Sequence, residues 1–347
     1  MGLSKSPLFA ACGAAGARFL EVDGWLLPAD FGDRDAEVDA GREGAALLDL
    51  APAGVVQLVG PDARRFCNGM FTNNVRDLVP GRGNRNCMVD DRARIQGLLD
   101  LWCVAADTFL AVLDGVTPEA FEARYGKYII FDDVELTDRS DELGVVSVQG
   151  AGAGGVLARA GLPAPAEGFE AVEEVRVARR ARARAGGWDV IAPKAAMPAL
   201  WEGLRAAGAR PAGWDAQEAL RIEAGLPRWP ADFGDKALLH EMRLVQAAGA
   251  FDKGCYIGQE VINRIDVMGQ VNKKIWGLRM AEDAIPPVGA EVRLAGEPVG
   301  TTLTGARDHG VARVLAMLRK QAWTPGVEVE VVAGERTVRA VVSDLPF

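Results

Sequence analysis

The sequence predicts a mixed α+β protein that carries a small, separate β-barrel at its C-terminal end. Over roughly the first 275 residues, strand-like and helix-like segments alternate without a strict repeat, which is the pattern of an α+β fold. From about residue 276 onward, short strand-like pieces sit between turn signals, which is typical of a small barrel or sandwich. We therefore expect two parts, residues 1–275 and residues 276–347.

The composition is that of an ordinary globular protein and excludes several classes. Of the 347 residues, 49% are hydrophobic and 25% are charged, and no run of about 18 apolar residues exists that could cross a membrane. The formal net charge of −9 argues against general nucleic-acid binding, which needs a basic surface. Because the chain is longer than one hydrophobic core usually covers, we expect two or three packed units.

Histidine and cysteine usage restricts the chemistry further. Only two histidines occur, His240 and His309, which disfavours a histidine-rich metal site and a Ser-His-Asp triad. The five cysteines are scattered and form no CxxC pair, so neither a disulfide framework nor a zinc ribbon is expected. These features indicate a reducing, cytoplasmic location and no metal site.

In the first half of the chain, hydrophobic spacing and cap residues predict alternating helices and strands. Asp62 is a suitable N-cap for a helix over residues 63–70, and Thr117 followed by proline predicts a helix over residues 118–125. A helix is also predicted over residues 36–50, where apolar residues occur among charges. The predicted strands cover residues 54–60, 86–89, 97–104 and 108–113.

The second half contains a predicted hairpin and two predicted helices before the C-terminal strands. A strand over residues 175–185, in which arginines take alternate positions, is expected to pair with residues 188–191. An amphipathic helix is predicted over residues 195–207, and Gly225 is a suitable C-terminal stop for a helix over residues 216–224. Further strands are predicted over residues 145–148, 291–294, 299–302, 327–332 and 338–342.

A glycine-rich turn after residues 145–148 has the spacing of a dinucleotide-binding loop. Gly150, Gly152 and Gly155 fit GxGxxG before a helix, where backbone N–H groups can approach a pyrophosphate. Such a loop also needs a carboxylate about 20 residues further on, at the end of a second parallel strand. The sequence offers none there, so we favour a plain strand-turn-helix over a nicotinamide dehydrogenase.

Arg180, Arg182 and Arg184 would share one face of the predicted strand over residues 175–185. Such a row can bind carboxylates or phosphates in bidentate fashion. It can also protect an exposed edge strand from aggregation. We favour the edge strand and keep the anion-binding surface as the alternative.

The most informative stretch is DKGCYIGQE at residues 252–260. Lys253 lies two residues before Cys255, and a nearby cation lowers the pKa of a thiol and so favours a nucleophilic thiolate. Gly254 allows a close approach of the backbone to a ligand, while Gln259 and Glu260 place an amide and a carboxylate near the thiol. Because a lone cysteine is more often inert than reactive, the spacing alone leaves both possibilities open.

This stretch resembles the signature K-G-C-[FY]-[TV]-G-Q-E of the YgfZ family of folate-binding proteins. Residues 253–260 depart from that pattern only at Ile257, which keeps a β-branched side chain. Residues 220–227, LRIEAGLP, also match the R-x-E-x-G-x-P segment of the family. Between the two, residues 239–241 read LHE where the family usually has Pro-x-Glu.

Most of the remaining chain is similar to the wider glycine-cleavage T-protein superfamily. The resemblance implies an α+β, three-lobed, clover-like T-protein fold with a C-terminal small β-barrel and tetrahydrofolate in its central hole. Residues 1–275 would then form two interleaved α+β folate-binding lobes. The matching segments are residues 24–28, 48–50, 60–63, 72–75, 299–302 and 346–347.

Three positions bear on the choice between subfamilies. T-proteins carry a catalytic aspartate in a Gly-Ile-Val-Asp-Asp type strand, where this sequence has Gly97 and Leu98. They also carry a folate-contacting arginine, where this sequence has Gln217. Both departures argue against aminomethyl transfer. Asp189, in contrast, matches a T-protein carboxylate, which can accept two hydrogen bonds from a pterin; an exposed strand position is the alternative.

Together with the thiol loop, the resemblance implies a tetrahydrofolate-binding protein that supports iron–sulfur cluster assembly or repair. Its ligand would be tetrahydrofolate or a one-carbon derivative, and its partners would be iron–sulfur client or assembly proteins. Cys255 would be the reactive thiol and Lys253 its electrostatic partner. The implied folate-binding residues are Asp189, Arg221, Glu223, Gly254, Tyr256, Gln259 and Glu260.

The alternative is a folate-dependent one-carbon transferase, with an aminomethyl or methyl group that comes from a methylamine, a sulfonium compound or glycine. Such an enzyme needs an acidic residue near the folate N5 to manage protons, and Asp100 and Asp90 are the candidates. Aromatic side chains in the matching segments either stack on the pterin or pack the core. These are Trp188, Trp214, Trp229 and Trp276.

Overall fold

The computed structural model describes residues 2–269 and 271–347. Its α-helices are α1 (Phe9–Ala14), α2 (Arg34–Arg42), α3 (Ala63–Met70), α4 (Pro118–Tyr125), α5 (Ala153–Arg159), α6 (Met197–Ala206), α7 (Trp214–Glu223), α8 (Val245–Ala248) and α9 (Gln259–Met268). Within the described ranges, no helix combines the length and the apolar character needed to span a membrane.

The strands fall into three open sheets and one closed barrel. Before the barrel they are β1 (Ser4–Lys5), β2 (Arg18–Val22), β3 (Trp25–Asp30), β4 (Ala46–Asp49), β5 (Val55–Val59), β6 (Gly83–Val89), β7 (Ile95–Ala105), β8 (Thr108–Asp114), β9 (Glu135–Asp138), β10 (Leu143–Gln149), β11 (Phe169–Val172), β12 (Val175–Arg179), β13 (Gly187–Pro193) and β14 (Arg210–Pro211). The barrel strands are β15 (Lys273–Met280), β16 (Glu291–Leu294), β17 (Glu297–Asp308), β18 (Val311–Arg319), β19 (Glu328–Ala333) and β20 (Arg336–Ser343).

A five-stranded antiparallel sheet has the order β6-β7-β8-β5-β9. Residues alternate between its two faces, as the pleat requires. On β7, Leu99 and Leu101 pack against α3 and α4, where Phe66 and Phe121 complete a buried core. Asp100, between the two leucines, points to the opposite face and is also buried. A carboxylate therefore lies beneath a sheet face that turns toward the centre of the molecule.

A six-stranded sheet has the order β11-β12-β13-β10-β4-β14. It is antiparallel except at its end, where β14 runs parallel to β4. Its outer face packs on α1, α5 and α6, with Trp201 of α6 fully buried. The three-stranded sheet β1-β3-β2 lies beside α7, since α7 contacts β3. Helix α7 also packs against α2 and the barrel strand β17, so it connects the three-stranded sheet to the barrel.

The six barrel strands close in the order β15-β18-β17-β16-β19-β20, with β20 paired to β15. Closure removes the free edges that an open sheet would expose. The barrel has its own apolar core, which includes Leu278, Val314 and Val331. The mixed α+β class and the C-terminal barrel predicted from the sequence are thus confirmed.

Buried ion pairs attach the barrel to α7. The Arg221 guanidinium lies 2.9 Å from an Asp232 carboxylate oxygen and 2.5 Å from Glu218, and it donates a 2.6 Å hydrogen bond to Thr304 Oγ1 on β17. Arg42 of α2 forms a second connection, because it pairs with both Glu223 and Asp308. Only 7% of the Arg221 side chain is exposed, so its charge depends on these partners.

Two predicted elements differ from the structure. The helix predicted over residues 36–50 ends at Arg42, and Ala46–Asp49 form the strand β4 between β10 and β14. All four strand residues are buried, and a short apolar run of that kind has no periodicity that separates a helix from a buried strand. The strand predicted over residues 175–185 ends at Arg179, and its arginines leave the sheet.

The glycine-rich turn at residues 150–155 is a packing feature. The backbone N–H groups of Ala151 and Gly152 donate to the carbonyls of Arg42 and Gly44, at 3.3 and 2.7 Å. A Cβ atom at Gly150, where φ is +125°, would lie 2.4 Å from the Gly44 carbonyl oxygen. The loop's N–H groups therefore bind neighbouring backbone, which removes the feature that suggested a nicotinamide dehydrogenase.

Replacing Arg221 by alanine should strongly destabilise the protein. The substitution leaves the fully buried Asp232 without its cation and removes one of the two arginine partners of Glu218, and breaking a buried pair in this way typically costs about 3–5 kcal/mol. Urea denaturation of the variant and of wild type measures the difference in unfolding free energy. The control is Arg205→Ala, which breaks an exposed pair with Glu202 and should cost less than about 1 kcal/mol. Equal, small losses for both variants would contradict the structural role of Arg221.

Candidate functional site

A cavity of about 310 Å³ opens where β3, the end of β4, the end of β8 and the start of α7 meet. Its walls are mainly aromatic and apolar, with a few charged side chains among them. This combination is typical of a small-molecule site, in which flat apolar surfaces hold a ring and sparse polar groups orient it. The aromatic and polar lining residues are Asp23, Trp25, Asp49, Asp114, Thr117, Arg182, Trp214, Gln217, Arg228 and Trp229.

Three half-buried tryptophans form the aromatic walls. Trp25 begins β3, Trp214 begins α7, and Trp229 follows α7 in a loop. The Arg228 guanidinium lies 4.8 Å from the centre of the Trp214 ring, and Trp229 packs edge-on against Phe233 at 5.5 Å. These contacts hold the two rings in place, so the cavity offers preformed surfaces for a planar heterocycle.

A buried cluster of ion pairs lies beside the cavity. Arg85 on β6 bonds to Asp100 at 2.9 Å and to Asp114 at 2.6 Å, and Arg180 bonds to the same Asp100 oxygen at 2.8 Å. Burial by itself would raise the pKa of Asp100, but Arg180 and Arg85 bring it below its ordinary value. Burial likewise acts to raise the pKa of Asp114, but Arg85 outweighs it, so this pKa also lies below its ordinary value. Both carboxylates are therefore held in the ionised form.

Arg182 and Asp189 form a second buried pair next to this cluster. The guanidinium binds both carboxylate oxygens, at 2.7 to 3.1 Å, and Ser147 Oγ donates to Asp189 at 2.7 Å. Gln149 fixes the backbone turn that contains Arg182, because its side-chain oxygen accepts a hydrogen bond from the backbone N–H of Arg182 at 2.8 Å. Asp189 thus has its partners within the protein, and it is Arg182 that reaches the cavity wall.

The arginine-rich segment is therefore neither of the two surfaces considered from the sequence. Residues 180–186 form a turn between β12 and β13, and Arg180 and Arg182 fold inward onto Asp100 and Asp189. Arg184 instead donates to the carbonyl of Phe347. The period of two that predicted a strand has another cause, because two of the three side chains pair with buried carboxylates. Arg180 pairs with Asp100, 80 residues away, and Arg182 pairs with Asp189 on β13.

The cysteine loop occupies a different place. Cys255 is exposed and lines a groove of about 570 Å³ together with Arg65, Arg76 and Asp132. The groove runs along α3, on one side of the five-stranded sheet, whereas the Asp100 cluster lies on the other side. In the described part of the chain, the groove and the tryptophan cavity share no lining residue. The structure therefore separates the thiol from that cavity.

Lys253 points into the protein. Only 1% of the residue is exposed; its Nζ donates to the carbonyls of Phe71 and, at 2.8 Å, Asn73, and it lies 4.4 Å from the Tyr256 ring centre. Burial lowers the pKa of the Lys253 ammonium to about 7. The side chain thus anchors the loop to the segment after α3, and its charge is directed away from solvent.

The other predicted residues of this loop surround its turn into α9. Gly254 has φ of +89°, a conformation that favours glycine, and no heavy atom lies within 4 Å of a Cβ built there. Tyr256 is buried, and its hydroxyl has no hydrogen-bond partner among the described residues. Gln259 begins α9, and Glu260 is exposed in its first turn.

None of the nine site residues predicted from the sequence lines the tryptophan cavity in the described structure. Arg221 and Glu223 belong to the ion pairs that attach the barrel. The cavity instead contains residues that the sequence analysis did not assign, above all Trp25, Asp49, Asp114 and Arg228. Two of these lie in segments 24–28 and 48–50, which carried the T-protein resemblance, so that likeness was the available signal.

Comparison with known proteins identifies the family. The family model for the GCVT N-terminal domain matches residues 8–250. A Geobacillus kaustophilus aminomethyltransferase is 30% identical to this chain, with 99% of this chain and 98% of the relative covered. A Cupriavidus taiwanensis aminomethyltransferase is 28% identical, with coverage of 100% and 98%. The chain therefore belongs to the GCVT family, which is the glycine-cleavage T-protein superfamily that its sequence resembles.

A solved structure has the same fold. The glycine cleavage system aminomethyltransferase T from Bartonella henselae superposes with a TM-score of 0.91 at 21% sequence identity, over 99% of this chain and 98% of the other. This confirms the predicted three-lobed T-protein fold with its C-terminal barrel.

The main functional prediction is wrong. The thiol loop suggested a protein for iron–sulfur cluster assembly or repair, with iron–sulfur proteins as its partners. The relatives that match this chain from end to end are instead named aminomethyltransferase. The nine-residue motif is a weaker indicator of function than similarity that extends over the whole chain.

Stability should depend on pH through Lys253. Between pH 7 and its ordinary pKa of 10.5, the lysine is protonated in the unfolded state and largely neutral in the folded state. The unfolded state then binds more protons, so the unfolding free energy rises with pH, by up to about 1.4 kcal/mol per pH unit. The stability gained at higher pH is lost as the pH falls through 7, because the folded-state lysine then becomes protonated as well. Urea denaturation of wild type and Lys253→Met from pH 6 to pH 10 measures it.

The comparison isolates Lys253 because other titrating groups act equally in both proteins. The Lys253→Met variant should lack the rise in this range, whereas Lys236→Met, at an exposed lysine, should retain it. Parallel curves for wild type and Lys253→Met would show that the ammonium stays charged inside the protein.

Proposed function

We propose that this protein is a tetrahydrofolate-dependent one-carbon transferase, which is the alternative considered from the sequence. The GCVT family uses tetrahydrofolate as the acceptor of the one-carbon unit. The observation that carries the proposal is the cavity at the junction of both large sheets and α7, with its tryptophan walls and buried charged groups, in a chain similar to aminomethyltransferases over its whole length.

The cavity suits a reduced pterin and its aminobenzoyl group. Trp25, Trp214 and Trp229 provide apolar faces on which either ring can stack. The Arg182 guanidinium can donate to ring nitrogen or oxygen acceptors, and Asp114 can accept from a ring amino group. The volume of about 310 Å³ falls at the lower end of ordinary small-molecule sites.

The position of the missing T-protein arginine also lies in this cavity. The resemblance places a folate-contacting arginine at residue 217, and Gln217 of α7 lines the wall. Arg228 lines the same wall, with its guanidinium over Trp214 and 3.2 Å from Glu218. We infer that Arg228 supplies the cation that position 217 lacks and attracts the carboxylates of a folate tail.

In this proposal, residues 1–275 form the two folate-binding lobes, and residues 276–347 form the barrel that closes on α7. Within the family, the KGCYIGQE loop supports a place on the YgfZ-like branch. The roles predicted for Cys255, Gly254, Tyr256, Gln259 and Glu260 then concern the surface groove beside α3, outside the acceptor cavity.

The proposed function is tested by measuring the formation of methylene- or methyl-tetrahydrofolate. Purified protein is incubated with tetrahydrofolate and, in separate reactions, an S-aminomethyl dithiol, a methylated amine, a sulfonium compound or a glycine derivative. Enzyme-dependent product from one of these donors supports the proposal. Tetrahydrofolate binding without product from any of them would contradict a transferase, and no binding would contradict the folate site.

Replacing Trp214 should weaken tetrahydrofolate binding. A Trp214→Leu substitution removes one aromatic wall and should raise the dissociation constant about tenfold, which corresponds to about 1.4 kcal/mol. Calorimetric titration of the folded variant measures the effect. Cys255→Ala is the matched comparison and should bind as wild type does, because the thiol lies in the other groove. A larger loss for Cys255→Ala than for Trp214→Leu would place the ligand at the cysteine loop instead.

A further inference from the structure

One-carbon transfer in this cavity requires a proton acceptor, and the usual position for one is vacant. The T-protein resemblance places a catalytic aspartate where this chain has Gly97 and Leu98. Gly97 is buried against Val116 and the sulfur of Met88, where a Cβ atom would lie 2.2 Å from Val116 Cγ2. The chain therefore has no acid at either position and no room for one at Gly97.

The two substitutes suggested by the sequence do not fit. Asp100 bonds to Arg85 and Arg180 and is kept ionised by them. Asp90 lies in the turn between β6 and β7, where its Oδ1 accepts the backbone N–H groups of Arg92 and Arg94 at 3.0 and 2.8 Å. Neither belongs to the cavity lining.

Three acidic residues do line the cavity, and their surroundings differ. Asp114 is paired with Arg85 at 2.6 Å. Asp23 lies at the rim with 66% of its side chain exposed, 3.7 Å from Arg228. Asp49, at the end of β4, is 7% exposed, and its Oδ2 has no hydrogen-bond partner among the described residues. It is thus a buried carboxylate of the lining that, unlike the other two, has no cationic partner in the described structure; the Ser6 hydroxyl and the Ala51 N–H are the groups that favour its charged form.

The fold holds Asp49 in one orientation but gives only one of its two carboxylate oxygens a hydrogen bond within 3.5 Å among the described residues. Strand β4 pairs with β10, in which Val146 lies opposite Asp49, and this pairing fixes the backbone at this residue. Asp49 Oδ1 accepts the backbone N–H of Ala51 at 3.0 Å, so the side chain is held in one rotamer. A buried polar atom without a partner costs free energy, and such atoms are common where a ligand completes the site.

We propose that Asp49 is the catalytic carboxylate that takes up the proton during one-carbon transfer to tetrahydrofolate. The inference rests on the proposed function. The acceptor's N5 nitrogen forms a bond to the one-carbon unit of an aminomethyl donor, while the bond from that carbon to its thiolate leaving group breaks and the sulfur keeps the electron pair. The Asp49 carboxylate accepts the proton that N5 loses in this step, and the proton later leaves to solvent or to the departing group.

The ionisation of Asp49 suits this role. Burial raises the pKa of Asp49 to about 6, so the carboxylate predominates at neutral pH and still binds a proton readily. Arg182 and Asp114 are the charged groups that share its cavity, with Asp23 and Arg228 at the rim. On the α1 side lies the buried thiol of Cys12, whose pKa burial raises. No histidine of the described chain lines the cavity.

The test compares single-turnover rates of wild type and Asp49→Asn with tetrahydrofolate and an S-aminomethyl dithiol, from about pH 5 to about pH 8. The wild-type rate should rise with pH to a plateau, with a midpoint near pH 6, as Asp49 loses its proton. Asp49→Asn keeps the shape of the side chain and should bind tetrahydrofolate normally. Its rate should fall about 100-fold or more and lose the rise with pH.

Two further variants separate a catalytic role from a structural one. Asp49→Glu keeps a carboxylate at a displaced position, so it should react slowly and retain the rise with pH. Asp141→Asn, at an exposed aspartate, should match wild type in rate and pH profile. If Asp49→Asn fails to fold, the wild-type and Asp49→Glu profiles decide: a rate independent of pH in both proteins would overturn the assignment.

The remaining outcomes distinguish this inference from the function on which it rests. Wild-type activity with an equally active Asp49→Asn overturns the role of Asp49 and leaves the transferase intact. The absence of product from wild type with every donor class overturns the transferase and the role of Asp49 together.

Discussion

The buried cluster of three arginines and three aspartates is the interaction on which the architecture depends. Arg85, Asp100 and Asp114 belong to the five-stranded sheet, while Arg180, Arg182 and Asp189 belong to the six-stranded sheet and its turn. The contact between Arg180 and Asp100 joins the two groups across the centre of the molecule. Because three positive charges face three negative ones, the desolvation cost of each is offset by partners at short distance.

The same cluster supplies the polar wall of the cavity. Arg182 and Asp114 cannot be replaced there by close-packed apolar side chains without leaving their partners unpaired, so they keep a polar wall between two hydrophobic cores. Helix α7 then covers the opening with Trp214, and the ion pairs of Arg221 and Arg42 hold that helix against the barrel. The barrel thus contributes to the site indirectly, through the position of α7.

Local sequence signals account for much of the fold and for little of the site. Helices α3 and α4 have the predicted bounds, but only the Thr117 cap of α4 is confirmed, because the Asp62 side chain accepts the backbone N–H of Asp133 and makes no cap hydrogen bond to α3. The failures occur where contacts outside the segment decide. Strand β4 is a strand because β10 and β14 flank it, and the arginine segment is a turn because its side chains pair with Asp100, 80 residues away, and with Asp189 on the next strand. Such partners have no signature in the local sequence. The motif at residues 253–260 was conspicuous for its residue types, whereas the cavity is assembled from six separate segments, none of which is unusual alone.

The tryptophan walls have an optical consequence. Three of the eight tryptophans surround the cavity, while the others lie elsewhere in the fold. A chromophore whose absorption overlaps tryptophan emission will take up their excitation energy when it enters between the three rings, and the intrinsic emission of the protein will fall as the cavity fills. The molecule thus contains its own reporter of what fills its centre, without a label or a modified residue.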